Sequence, residues 1–141
     1  MPVALGLDAG SVRVGLAATD PTETIAGPVA TLSRRDSAAL WTRVREEARQ
    51  RGADRLVVGL PRRLDGSEGE AAAAARALAD EASRETGLPV EMWDEWLTTV
   101  SAERALVEGG MRRERRRRTI DAIAAAIMLQ AWLDARRGHR G

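Results

Sequence analysis

Two short apolar runs joined by a three-residue turn open the chain: Pro2-Val-Ala-Leu-Gly-Leu-Asp8, then Ala9-Gly10-Ser11, then Val12-Arg-Val-Gly-Leu-Ala-Ala18. Runs of this length and polarity read as strands, and the tight turn between them predicts antiparallel pairing. Asp8 then stands at the tip of a buried strand, where a carboxylate is costly to desolvate unless something pairs with it. Two further acids occupy similar places. Glu95 follows the apolar strand Pro89-Val-Glu-Met-Trp93, and Asp121 sits in the expected first turn of the last, strongly apolar helix. Three carboxylates converging from two strand ends and one helix make a hard-oxygen cage suited to Mg²⁺ or Mn²⁺. Such a cage serves metal-assisted phosphodiester hydrolysis. Each acid also has a structural alternative. Asp8 opens an Asp-x-Gly turn, Asp121 complements the helix dipole after a Thr119 cap, and Glu95 is a surface charge.

Beyond the hairpin, residues 20–27 read as a loop and Pro28 to Leu32 as a third strand. Asp36 caps a helix over about 37–51, with Leu40, Trp41, Val44 and Ala48 on its inner stripe and Gly52 as its stop. The continuous apolar run Arg55-Leu-Val-Val-Gly-Leu60 is the pattern of a parallel strand covered on both faces. After the loop 61–67, Ser67 and Glu70 stand at capping-box spacing before an Ala-rich helix that Gly87 closes. A helix from Thr98 or Thr99 to about Glu108 precedes Gly109-Gly110, and a last helix runs from Thr119 to about Arg136. The order βββαβαβαα predicts an α/β fold with a mixed five-stranded sheet flanked by helices. One domain over 1–141 is expected, with a flexible tail over about 134–141.

Composition narrows the chemistry. Without cysteine there is no thiol nucleophile or zinc–thiolate site, and the single histidine, His139, lies in the expected tail. No signal peptide and no run of 18 apolar residues is seen, which predicts a soluble, cytoplasmic protein with no membrane partner. All 22 basic residues are Arg. Six of them, Arg112, Arg113, Arg115, Arg116, Arg117 and Arg118, crowd around one Glu in a stretch expected to be a loop, although the whole chain carries only +1. A block this dense is either a solvated segment or a phosphate grip, and its place just before Asp121 favours the grip. Arg13 on the second strand is a candidate phosphate clamp. Arg62 and Arg63 lie in a loop that feeds a helix N-terminus, a natural anion site, and they read equally as solvated loop residues.

The element order is ribonuclease H-like. Leu5-Gly-Leu-Asp-Ala-Gly-Ser-Val-Arg-Val-Gly15, Val58-Gly-Leu-Pro61, Asp65-Gly-Ser-Glu68, Asp94-Glu-Trp-Leu-Thr-Thr99 and Ile120-Asp-Ala-Ile-Ala-Ala-Ala126 together resemble the YqgF/RuvX family over about residues 3–133. Its members are described as candidate pre-16S rRNA nucleases or Holliday-junction resolvases. The resemblance implies Asp8, Glu95 and Asp121 as catalytic and metal-binding acids around two Mg²⁺ or Mn²⁺ ions. It further implies 5′-phosphate and 3′-hydroxyl products. Nucleic acid is the implied partner, either a DNA four-way junction or precursor rRNA, with a homodimer suited to symmetric junction resolution. Two positions depart from the pattern. Ala124 stands where related resolvases often carry a second helix acid, and Trp96 stands where the family usually has Arg.

Two other function classes remain open. A non-catalytic module binding structured nucleic acid accounts for the Arg block but not for clustered acids. An actin-like ATP-binding domain shares the Asp-x-Gly-Ser hairpin, yet requires a second lobe with a second phosphate hairpin.

Overall fold

Alternation of side chains along the first two strands sorts the whole molecule into layers. A computed structural model describes residues 3–10, 12–63, 65–94 and 113–140, with the side chains of the last stretch described over 121–137. The strands are β1 (Val3–Ala9), β2 (Arg13–Thr19), β3 (Ala26–Ser33), β4 (Ala53–Leu60) and β5 (Val90–Asp94). They form one sheet in the order β3-β2-β1-β4-β5, antiparallel across β1–β2 and β2–β3 and parallel across β1–β4 and β4–β5. This is the mixed five-stranded sheet expected from the sequence. Pro28 lies within β3 instead of opening it, and is tolerated because β3 is an edge strand with a register shift facing Pro28.

Helices α1 (Ser37–Arg51) and α2 (Glu70–Thr86) cover one face. Their buried Leu40, Trp41, Val44, Ala75 and Leu78 pack on Leu5, Leu7, Val14, Leu16, Leu56 and Val58. The ends of α1 follow the sequence: Asp36 accepts a hydrogen bond from the Ala39 amide at 3.0 Å, and Gly52 takes the left-handed conformation that stops the helix. The two helices are joined through Glu81, which accepts from the Trp41 indole at 2.6 Å and the Ser37 hydroxyl at 2.8 Å. Those donors, Trp41 foremost, hold the Glu81 carboxyl below its usual range. The start of α2 differs from expectation. Ser67 does not cap it: both its amide and its hydroxyl donate to Asp65 within the preceding turn, and Gly69 is the N-cap.

Helix α3 (Arg113–Arg140) covers the opposite face. Ala125, Ala126, Met128, Leu129, Trp132 and Leu133 pack there on Ala4, Ala17 and Val57. It starts earlier than the sequence reading puts it and continues past Arg136. The basic block is therefore not a loop: residues 113–118 form the first turns of the helix. Arg is a good helix former, and no Gly or Pro interrupts the stretch, so propensity overrides the charge cue. Asp121 consequently lies about two turns inside the helix, not in its first turn, which removes the dipole-complementing explanation for it. The helix expected over about 98–108 and its Gly109-Gly110 stop lie outside the described residues.

The two faces differ in bulk. Under α1 and α2 the strands present Leu and Val; under α3, β1 and β2 present Ala4, Gly6, Gly15 and Ala17. A Cβ on Gly6 would stand 3.1 Å from Leu129, and one on Gly15 would overlap the backbone carbonyl of Asp121. Small residues thus let α3 lie close to β1 and β2. Further along, Gln130 fastens the same helix to the β2–β3 connection, accepting from the Ala26 amide at 2.8 Å and donating to the Thr24 carbonyl at 3.1 Å. That connection is organised by Asp20, which accepts from the amides of Thr24 and Ile25 and from the Thr22 hydroxyl.

Gly15→Ala should cost about 1–3 kcal/mol, the range for forcing extra atoms into a packed site. Gly27→Ala, with open space around it, serves as the control, and chemical denaturation compares the two. Equal stabilities would show that α3 is not seated on Gly15. A second outcome concerns acid. The Ile25 amide foremost, with Thr22 and Thr24, lowers the Asp20 pKa from 3.8 to about 2. A depressed folded-state pKa means stabilisation present in full above about pH 4 and lost as the pH falls toward 2. Asp20→Asn should flatten the fall of melting temperature across that window, and an unchanged slope there would refute the assignment.

Candidate active site

Asp8 is the second-to-last residue of β1, half-buried, and shares its face with Ala4 and Gly6, the face on which α3 lies. Its neighbour across the ladder is Gly15 of β2. Because Gly15 has no side chain, the Asp121 carbonyl of α3 rests where a Cβ would be. Gly10 adds a second constraint. Its amide donates to the Arg13 carbonyl at 2.8 Å to close the turn, and a Cβ there would stand 2.9 Å from that carbonyl oxygen and 3.8 Å from Asp121 Oδ1. The half-buried Asp121 carboxylate thus hangs beside the hairpin turn, next to the strand end that carries Asp8. Both glycines thus serve the placement of Asp121.

The third expected acid, Glu95, lies outside the described residues, as does Trp96. What precedes Glu95 is described. Asp94 ends β5, and β4 separates it from β1, so the carboxyl ends of three parallel strands share one edge of the sheet. Ligand sites in open α/β sheets form at that edge. Among the described residues no group of three metal-ligating side chains is present. Asp8 and Asp121 are hard oxygen donors of the kind Mg²⁺ and Mn²⁺ take, and two carboxylates close together favour a cation between them. The pair fits such an ion as part of a set. Ala124 is buried against the sheet and supplies no further ligand.

The cations divide in two. Arg13 is half-buried on β2, two residues from Gly15 and on the same face. Arg62 is engaged within the protein: its Nε donates to Asp94 at 2.6 Å and its Nη1 to the Gly66 carbonyl at 3.2 Å, so it ties the 61–69 loop to the end of β5. Arg63 lays its guanidinium across Gly69, where a Cβ would collide with it, at the start of α2. The loop between is closed by hydrogen bonds from the Arg63 amide to Ser67 and from the Gly66 amide to Arg63. Ser67 foremost holds the Asp65 carboxyl below its usual range, and Arg76 does the same for Glu68. Arg112 lies outside the described residues. Arg113, Arg115, Arg116, Arg117 and Arg118 are placed by their backbone in the first turns of α3.

Comparison with known proteins fits this geometry. A family model described as RuvX, Holliday junction resolvase, matches residues 2–135. A protein of Moorella thermoacetica named as a candidate pre-16S rRNA nuclease is 45% identical over 137 residues, covering 97% of each chain. A protein of the same name from Kineococcus radiotolerans is 49% identical over 140 residues, covering 97% of this chain and 74% of its own. Among solved structures, Thermus thermophilus RuvC in complex with a Holliday junction substrate superposes with a TM-score of 0.57 at 19% identity, over 98% of this chain and 97% of that one. The likeness to RuvC establishes the ribonuclease H-like fold. Sequence identity and the family model, each spanning nearly the whole length, go further: the chain belongs to the RuvX family.

Proposed function

We propose that the chain is a metal-dependent endonuclease that hydrolyses phosphodiester bonds in structured nucleic acid, acting in the cytoplasm on precursor 16S rRNA or on four-way DNA junctions. The observation that carries this reading is the seating of Asp121 on Gly15, beside the strand end that presents Asp8. A domain that only binds nucleic acid has no use for two carboxylates brought together on the surface that must meet phosphates. The names of the relatives, with the fold shared with RuvC, support the same reading.

Asp8 is held by the β1 ladder and Asp121 by the packing of α3, so their carboxylates are positioned before substrate arrives, as hydrolysis at a fixed site requires. Glu95 completes the ligand set in this proposal. Together these three acids would hold Mg²⁺ or Mn²⁺, whose chemistry there would be activation of water and charge neutralisation at the phosphate. The protein provides no nucleophile of its own, consistent with a chain that has no cysteine. Arg13 and the basic start of α3 take the substrate backbone.

The helical state of residues 113–118 bears on that last role. Cations in the first turns of a helix oppose its dipole, and like charges three and four positions apart repel. A polyanion laid against them relieves both effects. Binding through this stretch should therefore be strongly salt-dependent and indifferent to base sequence.

The test is cleavage, side by side, of a synthetic four-way junction and a precursor 16S 5′ leader. Activity should require Mg²⁺ or Mn²⁺. It should fall by more than about 100-fold in Asp8→Asn, Glu95→Gln and Asp121→Asn, beyond what loss of a residue merely supporting a metal ligand costs. Cleavage that persists in excess chelator would overturn the metal role. Paired nicks by a dimer would assign the junction, and single cuts by a monomer the precursor rRNA.

A further inference from the structure

Cross-strand register extends the acid site into a second feature. Asp8 pairs with Gly15, and Gly15 with Thr31, so these three form one row across β1, β2 and β3 on the α3 face. The next row toward the hairpin turn is Arg13 opposite Ser33, about 7 Å further on, two residues along an antiparallel strand. Beyond Ser33 the chain is held in place by the Arg34 amide, which donates to the Val12 carbonyl at 2.9 Å, and by the Arg35 amide, which donates to Ser33 Oγ at 3.2 Å. Val12, Arg13, Thr31, Leu32, Ser33 and Arg35 line an open cleft of about 470 Å³.

The chemistry of this lining is selective. Among the described residues it holds two guanidiniums and two hydroxyls and no carboxylate. The nearest acid along the chain, Asp36, is committed to the Ala39 amide at the start of α1. Arg45, Arg55, Arg62 and Arg76 are each matched by a carboxylate; Arg13 and Arg35 enter no ion pair among the described residues, like Arg34, Arg49, Arg63 and Arg84, but only these two line this cleft. Two guanidiniums with no carboxylate partner among the described residues, beside a cleft large enough for one nucleotide unit, suit a phosphodiester. Across one strand spacing to Arg13 and two to Ser33, each with two residues of rise, the cleft lies about 8–12 Å from Asp8, one to two phosphate steps along a strand.

We propose that this cleft is a subsite for a backbone phosphate next to the scissile one, with Arg35 and Ser33 as positioning residues that, together with Arg13, set where along the strand the cut falls. The inference rests on the nuclease reading above for the meaning of the cut, but not for the binding of the phosphate.

The experiment uses the full chain, a synthetic four-way DNA junction and a precursor 16S 5′ leader RNA, each prepared with single backbone phosphates neutralised one at a time as methylphosphonates. Binding is read in chelator and cleavage in Mg²⁺ or Mn²⁺. For the unaltered protein, one neutral phosphate adjacent to the cut should weaken binding about tenfold or more, as expected for loss of a charged hydrogen bond. Arg35→Gln should bind the fully charged substrate correspondingly less well, become insensitive to neutralisation at that phosphate alone, and scatter the cut over neighbouring positions. Arg35 is exposed, and Ser33→Ala provides a second, milder variant with the same expected pattern. If both variants keep the interference profile of the unaltered protein, the subsite is refuted. If no metal supports cleavage by the unaltered protein, the nuclease reading fails, and the binding profile in chelator still decides the subsite.

Discussion

The absence of one side chain governs the placement of the site. With hydrogen at the Gly15 Cα, α3 descends until the Asp121 carbonyl touches β2. Because Gly15 is the ladder partner of Asp8, that same contact sets the separation of the two acids. A Cβ at Gly15 would overlap the Asp121 carbonyl, so a larger residue there is expected to displace the helix that carries Asp121. Stability and site geometry are thus coupled through one contact, without a hydrogen bond or an ion pair having to be invoked.

The sheet is built around that requirement. Its α1–α2 face carries the large side chains and most of the core volume, and contributes ordinary burial energy of about 25 cal/mol per Å² of apolar surface. Its α3 face gives up bulk, with Ala and Gly on β1 and β2, to obtain close approach. The apolar mass on that side comes instead from the helix: Met128, Leu129, Trp132 and Leu133 are fully or nearly fully buried. Nearer the acids the helix is alanine, which lies low over the small strand residues.

Much of this was legible in the residues themselves. Strand runs, the Asp36 cap and the Gly52 and Gly87 stops are local signals, and the structure follows them. What escaped were competitions between local cues. Ser67 is equally suited to cap α2 or to close a turn with Asp65, and the turn prevails. The charge block before Asp121 looks like a loop by composition but is helical by propensity. Gly15 reads as hairpin chemistry, because its actual partner lies more than a hundred residues away. The cleft of Arg13, Ser33 and Arg35 was invisible for a similar reason: it is assembled by cross-strand register, and no contiguous motif announces it. Of the three acids, Asp8 lies across the ladder from Gly15, Asp121 rests its carbonyl on that same glycine, and Glu95 lies outside the described residues.

The Gln130 bridge carries a mechanical consequence. Residues 121 and 130 are nine positions apart, about two and a half turns of helix, so their side chains leave α3 on opposite sides. One end is pressed onto Gly15; the other is clasped by Thr24 and Ala26. A rod pinned on both flanks cannot roll about its axis, and rolling is the motion that would swing Asp121 away from Asp8. The β2–β3 connection, remote from the acids, therefore acts as a torsional stop for the helix that carries one of them.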